Sequence, residues 1–130
     1  MSLAVHPLAV HHLAVVVSDL SRAVTFYTEV LGLPVERRWG DERGEPRSVW
    51  VALDAGVFLA IERASAEGPK RDEAAPGFHC LSLRIPRSER EAWRDRLERA
   101  GSEIVQETAY TLYVRDPDGN LVGLSHWPVA

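Results

Sequence analysis

The sequence predicts a single α+β domain over residues 1–130, built from two β-α-β-β-β modules around a shared cleft. Three observations carry this. The same succession of a short apolar run, a helical stretch and further short apolar runs occurs twice, over about 11–62 and about 78–127. Each helical stretch closes on a glycine, Gly32 and then Gly101. Between the two, residues 63–77 contain no bulky apolar residue and read as a surface linker. One module has four strands and one helix, too little to close a core alone, so the halves must pack together.

The elements follow in order. Residues 11–17 (HHLAVVV) form a Val-rich strand. Asp19 can cap a helix whose apolar face is Leu20, Ala23, Val24, Tyr27, Val30 and Leu31. Gly32 and Pro34 end it. Strands are expected at 35–40, 47–53 and 57–62, with turns at Gly40 to Pro46 and at Asp54 to Gly56. After the linker, 78–85 (FHCLSLRI) restarts the pattern as a strand. Ser88 and Glu91 have the spacing of a capping box, and Ala92, Trp93, Leu97 and Ala100 share a helical face. Strands at 103–107, 110–115 and 120–126 complete the second module, the last two joined by Asp116-Pro117-Asp118-Gly119, a type I turn pattern.

Composition excludes several classes. No apolar run reaches the ~20 residues of a membrane helix. A net charge of −4 lacks the basic excess of a general nucleic-acid binder. The single cysteine, Cys80, excludes an internal disulfide framework and fits a reducing cytoplasm. Met1 to Val10 has no cationic start before its apolar residues, so no secretory signal is expected.

The segments HHLAVVVSDLSRAVTFYTEVLGL and YVRDPDGNLVGL, in this order and on a duplicated pattern, resemble the vicinal oxygen chelate superfamily of glyoxalases, bleomycin resistance proteins and extradiol dioxygenases. The resemblance covers both halves. It implies a cleft that binds a small molecule and, in the metal enzymes, a divalent ion held by His, Glu or Gln from the first and last strands of each half. It also implies a homodimer, for which the exposed edges of open sheets give a physical reason. No nucleic-acid or membrane partner is implied.

Set against that metal site, the four positions of this chain are uneven. His12 matches the first, either as a ligand or as a polar strand-end histidine. In the second half the matching residue is Cys80, with His79 one residue away and on the other strand face unless the strand is bulged. The last-strand positions fall on Ala60 and Gly123, which offer no metal-binding side chain. Glu62 shares the parity of Ala60 and can reach inward from two residues on. The space at Ala60 and Gly123 suits a bulky ligand.

Two functional readings result. The first is a metal-free binder whose cleft is lined by Arg84, Trp50, Glu62, Cys80, Ser82, Trp127 and His12. Here Arg84 either pairs with Glu62, holds an anionic substrate group, or stands solvated at a strand end. The second is a divalent-metal lyase, isomerase or dioxygenase acting on adjacent oxygens, with His12, His79 and Glu62 as ligands. His126 has the parity of a surface or interface residue. The Asp116 to Asn120 segment is expected to be conformational only.

Overall fold

A computed structural model describes residues 5–72 and 74–130. Residues 1–4 of the N-terminal stretch and Glu73 of the linker lie outside the described residues. The expected duplication is present. Module one contains β1 (His12–Val17), α1 (Leu20–Thr25), β2 (Val35–Gly40), β3 (Pro46–Asp54) and β4 (Val57–Arg63). Module two contains β5 (Cys80–Arg84), α2 (Arg90–Arg99), β6 (Gln106–Glu107), β7 (Thr111–Arg115) and β8 (Leu121–Ser125). The strands form two four-stranded sheets of identical order, β1-β4-β3-β2 and β5-β8-β7-β6. In each, the first strand runs parallel to the last and the other pairs are antiparallel.

Strand alternation gives each sheet a helix face and an open face. Val17, Leu59, Ile61, Val122 and Leu124 lie on the helix faces and join Ala23, Tyr27 and Leu97 of the helical segments in one core drawn from both modules. Each half thereby buries the apolar surface that the other exposes.

Local structure departs from expectation in four places. The first helix is α-helical only to Thr25 and continues as a π-helical turn over Phe26–Val30, where the Leu31 amide donates to the Phe26 carbonyl at 3.0 Å. The wider turn lets the consecutive Phe26 and Tyr27 both enter the core. Asp19 caps this helix as expected, accepting from the Arg22 amide at 3.0 Å. The Ser88–Glu91 capping box does not form. Ser88 instead falls inside a 3-10 turn, Arg87–Glu89, whose backbone bond from Glu89 to Pro86 starts the helix, so α2 begins at Arg90 without a side-chain cap. The strand expected at 103–107 reduces to Gln106–Glu107. The strand expected from 78 starts at Cys80, because the Phe78 carbonyl is taken by the Arg71 guanidinium at 2.9 Å.

The turn after β7 does more than reverse the chain. Asp116 is buried and accepts from the Tyr27 hydroxyl at 2.8 Å, the Asn120 side chain at 2.8 Å and the amides of Asp118 and Asn120. Asp118 accepts from the Ser18 hydroxyl at 2.5 Å and the Ser18 amide at 3.0 Å. The turn of module two is therefore bonded to the strand-to-helix corner of module one. Burial, and then the neighbouring Asp116 carboxylate, push the Tyr27 phenol far above its usual range. Its hydroxyl stays a donor.

Candidate functional site

The open face of module one is aromatic. The His12 ring lies parallel to that of Phe58, centroids 4.8 Å apart and planes at 3°. Phe58 stacks on Trp50 at 4.2 Å and 17°. Trp50 meets Trp39 at 5.3 Å, tilted by 58°. The row crosses the sheet from β1 through β4 and β3 to β2, because register sets His12 beside Phe58 and brings Trp50 opposite Ala60, two pairs along from Ala52 opposite Phe58 and on the same face. At its β1 end, His11 and His12 approach through their Nδ1 atoms at 2.9 Å. At its β2 end the Arg37 guanidinium lies 5.0 Å from the Trp39 ring centre. Ser48 and Glu62 are directly opposite each other on the same face.

The open face of module two carries short polar groups. Ser82 is opposite Gly123 and Arg84 is opposite Ser125. The Thr111 hydroxyl donates to that of Ser125 at 2.9 Å. Tyr113 is opposite Gly123 from the other side. Cys80, Ser82 and Arg84 are all exposed. Of the three alternatives for Arg84, the pairing with Glu62 does not occur: the two lie on different sheets, and among the described residues neither side chain makes a hydrogen bond or ion pair.

A pocket of about 800 Å³ lies between the edges of β1 and β5, under linker residues 71–72 and 74–78. It brings His12, His79 and Cys80 together with Arg71, Arg115 and Asn120. It does not include Trp50, Glu62, Ser82, Arg84 or Trp127.

The sequence profile of the glyoxalase/bleomycin resistance protein/dioxygenase superfamily matches residues 9–124, both modules and the linker. The chain belongs to this superfamily. A glutathione transferase FosA from Serratia marcescens is 28% identical over 119 residues, covering 89% of this chain and 79% of that protein. The fosfomycin resistance protein FosX from Listeria monocytogenes, solved with Mn(II) and sulfate, superposes with a TM-score of 0.74 at 18% identity, covering 95% of this chain and 96% of that one. A glyoxalase/dioxygenase from Nostoc punctiforme gives 0.76 at 18% identity, covering 98% and 99%. The structural likenesses speak for the fold.

Of the four positions that the resemblance assigns to a metal, two carry Ala60 and Gly123, which have no metal-binding side chain. Among the described residues no three His, Cys, Asp or Glu side chains gather as a ligand set. Gly123 is not an open space, contrary to expectation. A β-carbon there would lie 3.0 Å from Tyr113 Cε1 and 3.1 Å from both Ser82 Oγ and Thr111 Cγ2, so any side chain at this position requires those neighbours to give by a few tenths of an ångström. Ala60 is buried opposite Trp50. His12 lies flat on Phe58.

Other expected residues fall as follows. Trp50 is half-buried in the aromatic row and Glu62 is half-buried on the same face. Cys80 is exposed rather than buried. Trp127 follows the end of β8, exposed and edge-on to Tyr110 at 4.7 Å. His126, expected at the surface, is buried: Arg90 donates to its Nε2 at 2.8 Å, and its Nδ1 bonds the Val129 carbonyl, an arrangement that fits the neutral Nδ1–H tautomer. Arg90 also donates to Glu107, which Arg94 grips with both terminal nitrogens at 3.0 and 2.8 Å. The parts of module one's face that sequence reasoning missed are Trp39, Phe58 and the alignment of their rings. The signal was there in part, since Trp50 and Phe58 flank a recognisable turn. Trp39 was out of reach because β2 is bulged on both sides of the Arg37–Trp39 stretch, which shifts its register against β3.

Proposed function

We propose that this chain is a small-molecule binding protein of the superfamily that holds its ligand without a resident metal ion. The observation that supports the reading is Gly123, which supplies no carboxylate and has Tyr113, Ser82 and Thr111 in close contact with the place of a β-carbon. The aromatic row of module one offers a binding wall, and the hydroxyls and Arg84 of module two offer polar contacts, the usual division of labour in a ligand cleft. The free edges of β1 and β5 support a homodimer in which a second copy covers those edges.

One observation favours the second reading, a divalent-metal lyase, isomerase or dioxygenase. His12 and His79 line the same pocket. Glu62, the third ligand in that reading, is not part of its wall. The Listeria relative was solved with Mn(II), which leans the same way. Native mass spectrometry of untagged protein, purified without chelator, separates the two. The binder is expected as a metal-free dimer whose tryptophan fluorescence responds to aromatic ligands equally with and without EDTA. Stoichiometric metal that disappears in His12→Ala would overturn it in favour of the metal enzyme.

A further inference from the structure

We infer that the segment ahead of β1, residues 5–10, is an exchange arm: the arm of a second copy lies along the free edge of β5 and seats its Leu8 and Val10 in the pocket between β1 and β5. The inference rests on the dimer proposed above and names the segment that makes the contact.

Four observations converge on it. First, the arm finds no seat in its own chain. Val5 is 99% and Leu8 96% exposed, and among the described residues no backbone group of residues 5–10 is bonded to another backbone group. Second, the seat has matching chemistry. Leu13, Val15, Leu81 and Leu121 line the pocket, and Phe78, exposed beside the start of β5, lines it too. β5 pairs only with β8, so its other edge turns unpaired N–H and C=O groups outward, a template for an added strand. Third, the arm has the pattern of such a strand. Leu8 and Val10 share one face of an extended chain. Pro7 has no N–H to give, so the arm can pair only through His6, Leu8 and Val10, and its other side ends the sheet. Fourth, the area fits. The chain exposes 9014 Å², where a folded monomer of its size exposes about 6,900 Å². The excess, on the order of 2,000 Å², is within what each half of an obligate dimer covers. To enter its own pocket the arm would have to reverse just before β1, where Val10, His11 and His12 include no turn-forming residue. A second copy meets no such constraint. Its seated arm makes the partner's Leu8 and the partner's Val10 part of the wall around His12 and His79.

Cys80 is the chain's only cysteine and lines the pocket, so Leu8→Cys puts a second thiol where the arm is expected to lie. The full-length variant is treated with oxidised glutathione, and the products are read on non-reducing gels and by peptide mapping. The expected product is a disulfide between the introduced thiol and Cys80 of the other copy, a bond that needs the two Cα atoms within about 7 Å. It should vanish when Leu8→Cys is combined with Cys80→Ser. In an otherwise native chain, Leu8→Asp should raise the dimer Kd at least about tenfold, read by native mass spectrometry. A disulfide within one chain, a link between two introduced thiols that survives Cys80→Ser, no disulfide at all, or an unchanged Kd would each overturn the arm. A dimer that persists while the disulfide fails removes only the arm and leaves the proposed dimer standing. A monomeric native protein removes both and leaves the metal question as it was.

Discussion

The two open faces share one backbone plan and carry opposite chemistry. In module one, the face is a row of rings with a carboxylate, Glu62, and a buried hydroxyl, Ser48, that have no partner among the described residues. In module two, the corresponding surface is filled by short side chains, with Tyr113, Ser82 and Thr111 closing over Gly123. Polar satisfaction follows the same division. Module two binds its helix with Arg90 and Arg94 on Glu107 and clasps its neighbour with Asp116 and Asp118. Groups that fold a protein find partners inside it, whereas groups that meet a ligand are left wanting them. On the proposed binder reading, module one supplies the recognition surface, while the bonds of module two hold the molecule together.

Three changes would break or sharpen this contrast. The largest effect belongs to Asp116→Ala, which orphans the buried Tyr27 hydroxyl and removes the side-chain bonds to Asn120 and to the amides of Asp118 and Asn120. A loss of at least about 3 kcal/mol in unfolding free energy is expected, read by urea denaturation. A loss below about 1 kcal/mol would mean that the apolar core alone joins the modules. Next is Gly123→Ala, expected to cost about 1–3 kcal/mol by overpacking against Tyr113. A raised Tm would show instead that the ring swings aside easily, and the metal position would then be open after all. The smallest effect is that of Glu107→Gln. Arg94 and then Arg90 hold the Glu107 carboxyl at about 2, down from the ordinary 4.5. Because the folded value is the lower one, the stabilisation is complete above about pH 4.5 and fades as pH falls toward 2. The variant's Tm deficit should shrink through that window, and it should be small, since the pair is solvent-screened. A deficit constant with pH would remove the charge from the explanation.

The fold was legible because its signals are local and come twice. Asp19 before an apolar helical face, Gly32 and Gly101 in left-handed conformations of φ +79° and +71°, and alternating strands each constrain a few adjacent residues. The site was less legible because it depends on register and on contacts between distant segments. Parity correctly grouped Trp50 with Ser48 and His12 with Ala14, yet could not say that His12, Phe58 and Trp50 align as one stack across three strands. A missing carboxylate at Gly123 was visible in the sequence, but that its space is occupied was not, since Ser82, Thr111 and Tyr113 come from two other strands. His126 was misplaced for a similar reason: parity says which way a residue points, not that Arg90 of a separate helix will cover it.

The bonds from Asp116 and Asp118 to Tyr27 and Ser18 also bear on what the linker is for. The halves are connected twice, once by peptide through residues 64–79 and once by that clasp and the common core. Only the second connection fixes their geometry. Mechanically the molecule is a heterodimer of two diverged siblings, and the covalent tether guarantees that each sibling is made with its mate, in equal number and always within reach.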